Sequence, residues 1–118
     1  MKLFDSELRL MELIWARGLC SAKELSLAAA EEIGWNKNTT YTVLKKLVAK
    51  RAVERTEPGF CCRALISRDQ VAKEETTGLI DRLFGGSRKA FFSAFLQDEA
   101  ISAAELEELK NLINRHEE

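Results

Sequence analysis

From Ile33 to Val53 the chain carries no Asp or Glu, although it holds 19 such residues in all. That interval, read G-W-N-K-N-T-T-Y-T-V-L-K-K-L-V-A-K-R-A from Gly34 to Ala52, constrains the fold because two patterns are superposed on it. Val43, Leu44, Leu47 and Val48, with Thr40 one turn earlier, recur at helical spacing and predict a buried stripe. At about 100° per residue the opposite side carries Asn38, Thr42, Lys45 and Ala49, flanked by Thr39, Tyr41 and Lys46. Lys37, Lys45, Lys46, Lys50 and Arg51 add five positive charges. An ordinary solvated helix mixes its signs, so an acid-free one is suited to an anion. Amide, hydroxyl and phenol groups among the lysines can meet base edges as well as phosphates, as a helix lying in a duplex major groove must.

The flanking residues place this helix in a larger unit. Leu8, Met11, Leu13, Ile14 and Trp15 predict a first helix over 5–17, with Asp5 or Ser6 as N-cap and Gly18 past its end. Ser21-Ala22-Lys23-Glu24 is a capping box that opens a second helix running through Ile33. Gly34 stops it, Trp35-Asn36 turns the chain, Asn36 caps, and the basic third helix runs to about Lys50. Two helices joined by so short a turn, the second basic outside, make a helix-turn-helix. Val53, Phe60, Leu65 and Ile66 then fall in short runs around Glu57-Pro58-Gly59, which predicts a hairpin wing over about 53–66. Arg55 and Arg63 lie on its strands, within reach of neighbouring phosphates.

The rest of the chain differs in composition. Residues 1–66 hold eleven Lys and Arg against eight Asp and Glu, a balance of +3, and residues 67–118 hold seven against eleven, a balance of −4. One part is suited to a polyanion and the other to a different task, such as pairing. Ser67-Arg68-Asp69-Gln70 and Ser102-Ala103-Ala104-Glu105 are further capping boxes, opening a fourth and a sixth helix, and Gly85-Gly86 stops the fourth before a fifth from Ser87. Beside Ile80, Phe84 and Leu96, their large apolar residues include Leu79, Leu83, Phe91, Phe92, Phe95, Leu106, Leu109, Leu112 and Ile113. So short a segment rarely buries enough by itself, so a second copy of the chain is the expected cover. Leu79, Leu83, Phe91, Phe92, Phe95, Leu106, Leu109 and Ile113 are the candidate dimerisation set.

The expected fold is therefore mainly α with a small β-hairpin wing: a winged helix-turn-helix over 1–67, then a three-helix dimerisation region over 68–118. No apolar run approaches the ~20 residues that span a bilayer, and M-K-L-F-D-S-E is not a secretory leader, so a cytoplasmic protein with no membrane partner is expected. Cys20, Cys61 and Cys62 have no C-x-x-C spacing, which argues for reduced thiols and against a zinc site or a disulfide scaffold. Cys61 and Cys62, adjacent on one strand, face opposite sides and do not chelate one ion readily. Trp15 and Trp35 read as core, with the Trp35 indole N–H available to a phosphate. His116 lies at a frayed terminus. Glu105, Glu107 and Glu108 form an acidic surface with no nucleophile or glycine loop beside them, so no catalytic site, metal or cofactor is expected.

Five blocks in order resemble the family of penicillinase, methicillin-resistance and copper-transport repressors, dimeric bacterial winged-helix proteins. They are S-E-L-x-L-M-E-L-I-W at 6–15, S-A-K-E-L at 21–25, G-W-N-K-N-T-x-Y-T-V-L-K-K-L at 34–47, L-I-S-R at 65–68 and L-F-G-G-S at 83–87. The resemblance implies an operator-binding repressor whose C-terminal helices intertwine with a partner's, with Asn38, Thr39, Tyr41, Thr42 and Lys46 where the family touches DNA. The expected partners are thus a double-stranded operator and a second copy of the chain, with Lys37, Asn38, Thr39, Tyr41, Thr42, Lys45, Lys46, Arg55 and Arg63 as the candidate DNA contacts. Three departures stand out. No cysteine follows Cys62, unlike the Cys-rich tail of some copper-responsive members; Ala94-Phe95 replaces the Asn-Phe bond cleaved in antibiotic-responsive ones; and Arg51 replaces the usual Gly between helix 3 and the wing. The alternatives are a winged-helix module that binds protein, or a repressor answering to thiol chemistry or a metal.

Overall fold

The computed structural model describes residues 1–97 and 100–117. The chain forms two compact units, Met1–Thr76 and Thr77–Glu118. The first contains α1 (Asp5–Arg17), β1 (Cys20–Ser21), α2 (Ala22–Glu32), α3 (Lys37–Ala49), β2 (Val53–Thr56) and β3 (Cys61–Ala64). α4 (Arg68–Phe84) begins in the first unit and ends in the second, which also holds α5 (Arg88–Leu96) and α6 (Ala103–Glu117). The packing boundary thus falls inside α4, later than the functional boundary expected at 67/68. Val71 is buried, and Glu74 and Glu75 accept hydrogen bonds from the backbone nitrogens of Met1 and Leu3, so the start of α4 belongs to the first unit.

The core of the first unit is where the helical periodicities put it. Leu10, Met11 and Ile14 of α1, Leu25 of α2 and Leu44 and Leu47 of α3 are all at 0 % exposure. Burying each such side chain contributes roughly 2 kcal/mol. Thr40 is also fully buried, its hydroxyl donating to the Asn36 carbonyl at 3.3 Å, which satisfies the polar atom inside the helix.

The helix ends follow the expected signals, with one correction. At α2 both bonds of the box form: Glu24 N–H to Ser21 Oγ at 3.1 Å and Ser21 N–H to Glu24 Oε1 at 3.3 Å. Asn36 Oδ1 accepts from Thr39 N–H at 2.8 Å and starts α3. Ser67, Ser87 and Ser102 hydroxyls accept from the amides of Gln70, Ala90 and Glu105. At α1, however, neither Asp5 nor Ser6 is the cap. Phe4 holds that position, and Glu7 reaches back to accept its N–H at 2.8 Å. Asp5, the first helical residue, places its charge in the first turn, where the helix dipole favours it.

α3 closes in a Schellman turn: Ala52 N–H reaches the Leu47 carbonyl and Arg51 N–H the Val48 carbonyl, both at 3.0 Å. The turn needs a left-handed residue, and Arg51 supplies it at φ +64°. Glycine would adopt this conformation without steric cost, so Arg51 holds strain of roughly 1 kcal/mol.

The wing has three strands, in the order β1-β3-β2, all antiparallel. β1 was not expected from sequence. It adds Cys20 opposite Cys62 and Ser21 opposite Cys61. Cys20 and Cys62 are thus cross-strand neighbours despite their separation along the chain, and both are buried. Burial pushes the Cys62 thiol up to about 11 and raises Cys20 as well, which leaves both protonated and unreactive at neutral pH.

The second unit is built differently. Among its described residues Ile80 is buried, while α5 and α6 bury no residue. Phe91 packs edge-on against Phe84, Phe92 and Phe95, at 4.8–5.6 Å between ring centroids. Leu83, Phe92, Phe95 and Ile113 remain between 54 and 69 % exposed. Leu79, Phe91, Leu106 and Leu109 are half-buried.

Candidate nucleic-acid interface

α3 is anchored by its inward stripe, so its other side is fixed in orientation and open to solvent. Lys37, Asn38, Thr39, Thr42, Lys45, Lys46 and Ala49 are exposed, and Tyr41 is half-buried. The side of the helix predicted to face outward does so. Thr42 Oγ1 donates to the Asn38 carbonyl at 2.8 Å, which holds the hydroxyl against the helix with its lone pairs outward. Lys37 Nζ lies 5.7 Å from the Tyr41 ring centroid, a cation–π contact that keeps the ammonium beside the phenol.

One of the five expected cations faces elsewhere. Lys50 Nζ donates to Glu7 Oε1 at 2.7 Å and to the Lys2 carbonyl at 3.1 Å, and lies 4.8 Å from the Phe4 ring centroid. Glu7 is 1 % exposed, so Lys50 compensates a carboxylate that would otherwise be stranded in the core. Burial pushes the Glu7 carboxyl up, but the hydrogen bonds from Lys50 and Phe4 N–H, with the charges of Lys50 and Lys46, outweigh it and leave the group below its ordinary value. Lys50 therefore joins α3 to α1 and is withdrawn from the basic surface. Lys37, Lys45, Lys46 and Arg51 are the exposed cations of the stretch.

The wing arginines are exposed but already engaged. Arg55 Nε donates to Glu57 at 2.8 Å, and Arg63 Nε donates to Glu54 at 3.1 Å. A phosphate must share or displace these carboxylates. The arginine side of such pairs is weakly held in water, so exchange costs little.

Two residues absent from the sequence-derived set belong to this region. Lys23 of α2 joins Lys37, Trp35 and Tyr41 in lining a hollow of ≈ 360 Å³ at the helix-turn-helix corner. Phe60, in the turn before β3, meets Tyr41 edge-on with centroids 6.1 Å apart. Lys23 had a signal, since it lies in the first turn of α2 outside that helix's buried stripe. Phe60 had none. The two tryptophans are partly buried against the core, and the Trp15 indole donates to the Ile66 carbonyl at 2.9 Å. His116 is exposed, and among the described residues no group of three or more His, Cys, Asp or Glu could hold a metal ion.

Three helices, a small antiparallel wing and a polar, cationic third helix define a winged helix-turn-helix protein. The solution structure of the DNA binding domain of the repressor BlaI superposes with a TM-score of 0.55 over 58 % of this chain and 87 % of that one, at 24 % identity, which establishes the shared fold. The penicillinase repressor family model matches residues 3–115, and the chain belongs to that family, one of transcriptional repressors and not of enzymes. The penicillinase repressor of Bacillus licheniformis is 23 % identical over 95 % of this chain and 89 % of its own length. The methicillin resistance regulatory protein MecI of Staphylococcus aureus (strain N315) is 22 % identical over 94 % and 92 %. The fold and family expected from the five sequence blocks are both met.

Proposed function

We propose that this protein is a cytoplasmic transcriptional repressor that binds a two-fold symmetric operator as a homodimer. α3 enters the major groove and the wing lies along the adjacent backbone. The observation that carries this reading is the outward side of α3, where exposed Lys37, Lys45 and Lys46 flank Asn38, Thr39 and Thr42 with no carboxylate on the helix. The ammonium groups suit phosphates and the short polar side chains suit base edges. A surface made for a protein partner would more often be apolar at its centre. Residues 1–67 supply this reading head. Residues 68–118 supply the dimer contact through Leu79, Leu83, Phe91, Phe92, Phe95, Leu106, Leu109 and Ile113, of which Leu83, Phe92, Phe95 and Ile113 are exposed in the single chain, in support of a second copy as cover. No helix among the described residues is long and apolar enough to cross a membrane.

A salt titration of DNA affinity tests the reading. Log affinity should fall with log salt by about 0.9 for each phosphate neutralised, and Lys46→Ala should flatten the slope by about one phosphate's share. Thr42→Ala should instead reduce discrimination between related operators with little change in slope. Affinity for DNA that is absent, or indifferent to salt, overturns the proposal in favour of a protein-binding module.

A further inference from the structure

Phe60 stands at a junction that the wing arginines alone do not explain. Its ring meets Tyr41 of α3 edge-on, and the Arg55 guanidinium carbon lies 3.8 Å from its centroid, in stacking contact. Its carbonyl accepts from Ala22 N–H at 2.9 Å, tying it to the start of α2. Its own N–H donates to Glu57 Oε2 at 3.2 Å, while Glu57 Oε1 accepts from Arg55 Nε at 2.8 Å. One residue thus touches the recognition helix, the helix before it and the wing. Its backbone also has φ +47°, a left-handed conformation that a bulky side chain adopts only where its surroundings hold it there. A flexible hairpin tip needs none of these bonds.

We propose that Phe60 is a positioning residue for DNA binding: it holds the Arg55 guanidinium at a fixed place relative to Tyr41, so that wing and recognition helix meet the duplex as one rigid surface. A planar guanidinium stacked on a ring loses little further freedom when it bonds a phosphate, because its plane is already set. Stacking covers one side of Arg55 and leaves the edge of the fork to its acceptor. In the free protein Glu57 Oε1 alone sits against Nε and Nη2 of that fork, at 2.8 and 2.7 Å, while Oε2 accepts from Phe60 N–H. A backbone phosphate would take over the same two donors, and with two free oxygens it can meet them in bidentate fashion. The inference rests on the DNA-binding reading above, but it concerns how Arg55 is presented and has a readout that needs no DNA.

The test uses the full-length chain with Phe60→Leu, Phe60→Tyr, Arg55→Gln and the double variant Phe60→Leu/Arg55→Gln. Without DNA, the Arg55 Cδ protons should show the upfield NMR shift of a group over an aromatic face. That shift should vanish in Phe60→Leu and persist in Phe60→Tyr. With DNA, Arg55→Gln should flatten the salt slope by about 0.9, the share of one phosphate. Phe60→Leu should flatten it comparably, Phe60→Tyr should restore it, and the double variant should be no flatter than Arg55→Gln alone. Additive losses in the double variant, or a Phe60→Leu slope equal to that of the parent, overturn the role of Phe60 while leaving the repressor reading intact. Unshifted Arg55 protons in the parent protein overturn it without any DNA measurement. If no variant binds DNA and neither does the parent, both readings fall together.

Discussion

In the unit Met1–Thr76, Leu10, Ile14, Leu25, Leu44 and Leu47 lie at 0 % exposure, whereas in Thr77–Glu118 Phe92, Phe95 and Ile113 are more than half exposed. The two units have similar kinds of helix, with serine caps and apolar stripes in both. The difference is in what the stripes meet. In the first, α1 and α2 pack on α3 and the stripes cover one another. In the second, α5 and α6 leave theirs to solvent, a state that water penalises by roughly 25 cal/mol for each Å² of apolar surface. The comparison teaches that the first unit closes its core within one chain, while the second leaves apolar stripes that the proposed second copy would cover.

The largest expected effect breaks that comparison directly. Leu44→Ala should destabilise the first unit by about 3 kcal/mol, read as a shift of the urea midpoint that does not depend on protein concentration. Phe95→Asp, on the exposed side of α5, should leave the first unit's midpoint nearly unchanged and convert the species seen by sedimentation equilibrium from dimer to monomer. Equal effects of both changes on the first unit would dissolve the distinction.

A smaller effect concerns the Lys50–Glu7 pair, whose carboxylate is buried in the first unit. The Glu7 carboxyl lies below its ordinary value in the folded chain, so the unfolded state binds its proton first as the solution is acidified. The stabilisation from the Glu7–Lys50 pair is therefore complete above the unfolded value near 4.3 and is lost as pH falls through the lower folded value. Glu7→Gln should abolish that part of the acid dependence in urea titrations below about pH 5. At pH 7, Lys50→Met should cost about 2 kcal/mol, because it strands the Glu7 carboxylate in the core. The smallest effect is at the end of α3. Arg51→Gly should stabilise by under about 1 kcal/mol, the relieved left-handed strain being partly offset by the greater freedom of glycine in the unfolded chain.

What the sequence disclosed divides along physical lines. The α3 stripe, the Asn36 cap, the Ser21-Glu24 box and the Pro58-Gly59 turn are local signals, and each formed where spacing placed it. β1 was illegible because two residues have no periodicity, and Cys20–Ser21 becomes a strand by pairing with β3 far along the chain. Lys50 and Lys46 look alike on a basic helix. They part because Glu7, buried by the packing of α1, draws one inward. Phe60 reads as an ordinary hairpin residue, and its importance arises from Tyr41 on one side and Arg55 on the other. The expected cap of α1 failed because the Glu7 side chain served the same end one position earlier, at Phe4.

In the proposed complex, two copies of this chain present two basic helices to successive turns of one duplex. Selection from a random DNA pool with the purified full-length protein tests it most directly. The expected result is enrichment of a two-fold symmetric sequence whose half-sites are centred about 10 base pairs, or a multiple of that, apart. Enrichment of one asymmetric half-site, or of no sequence at all, would contradict it.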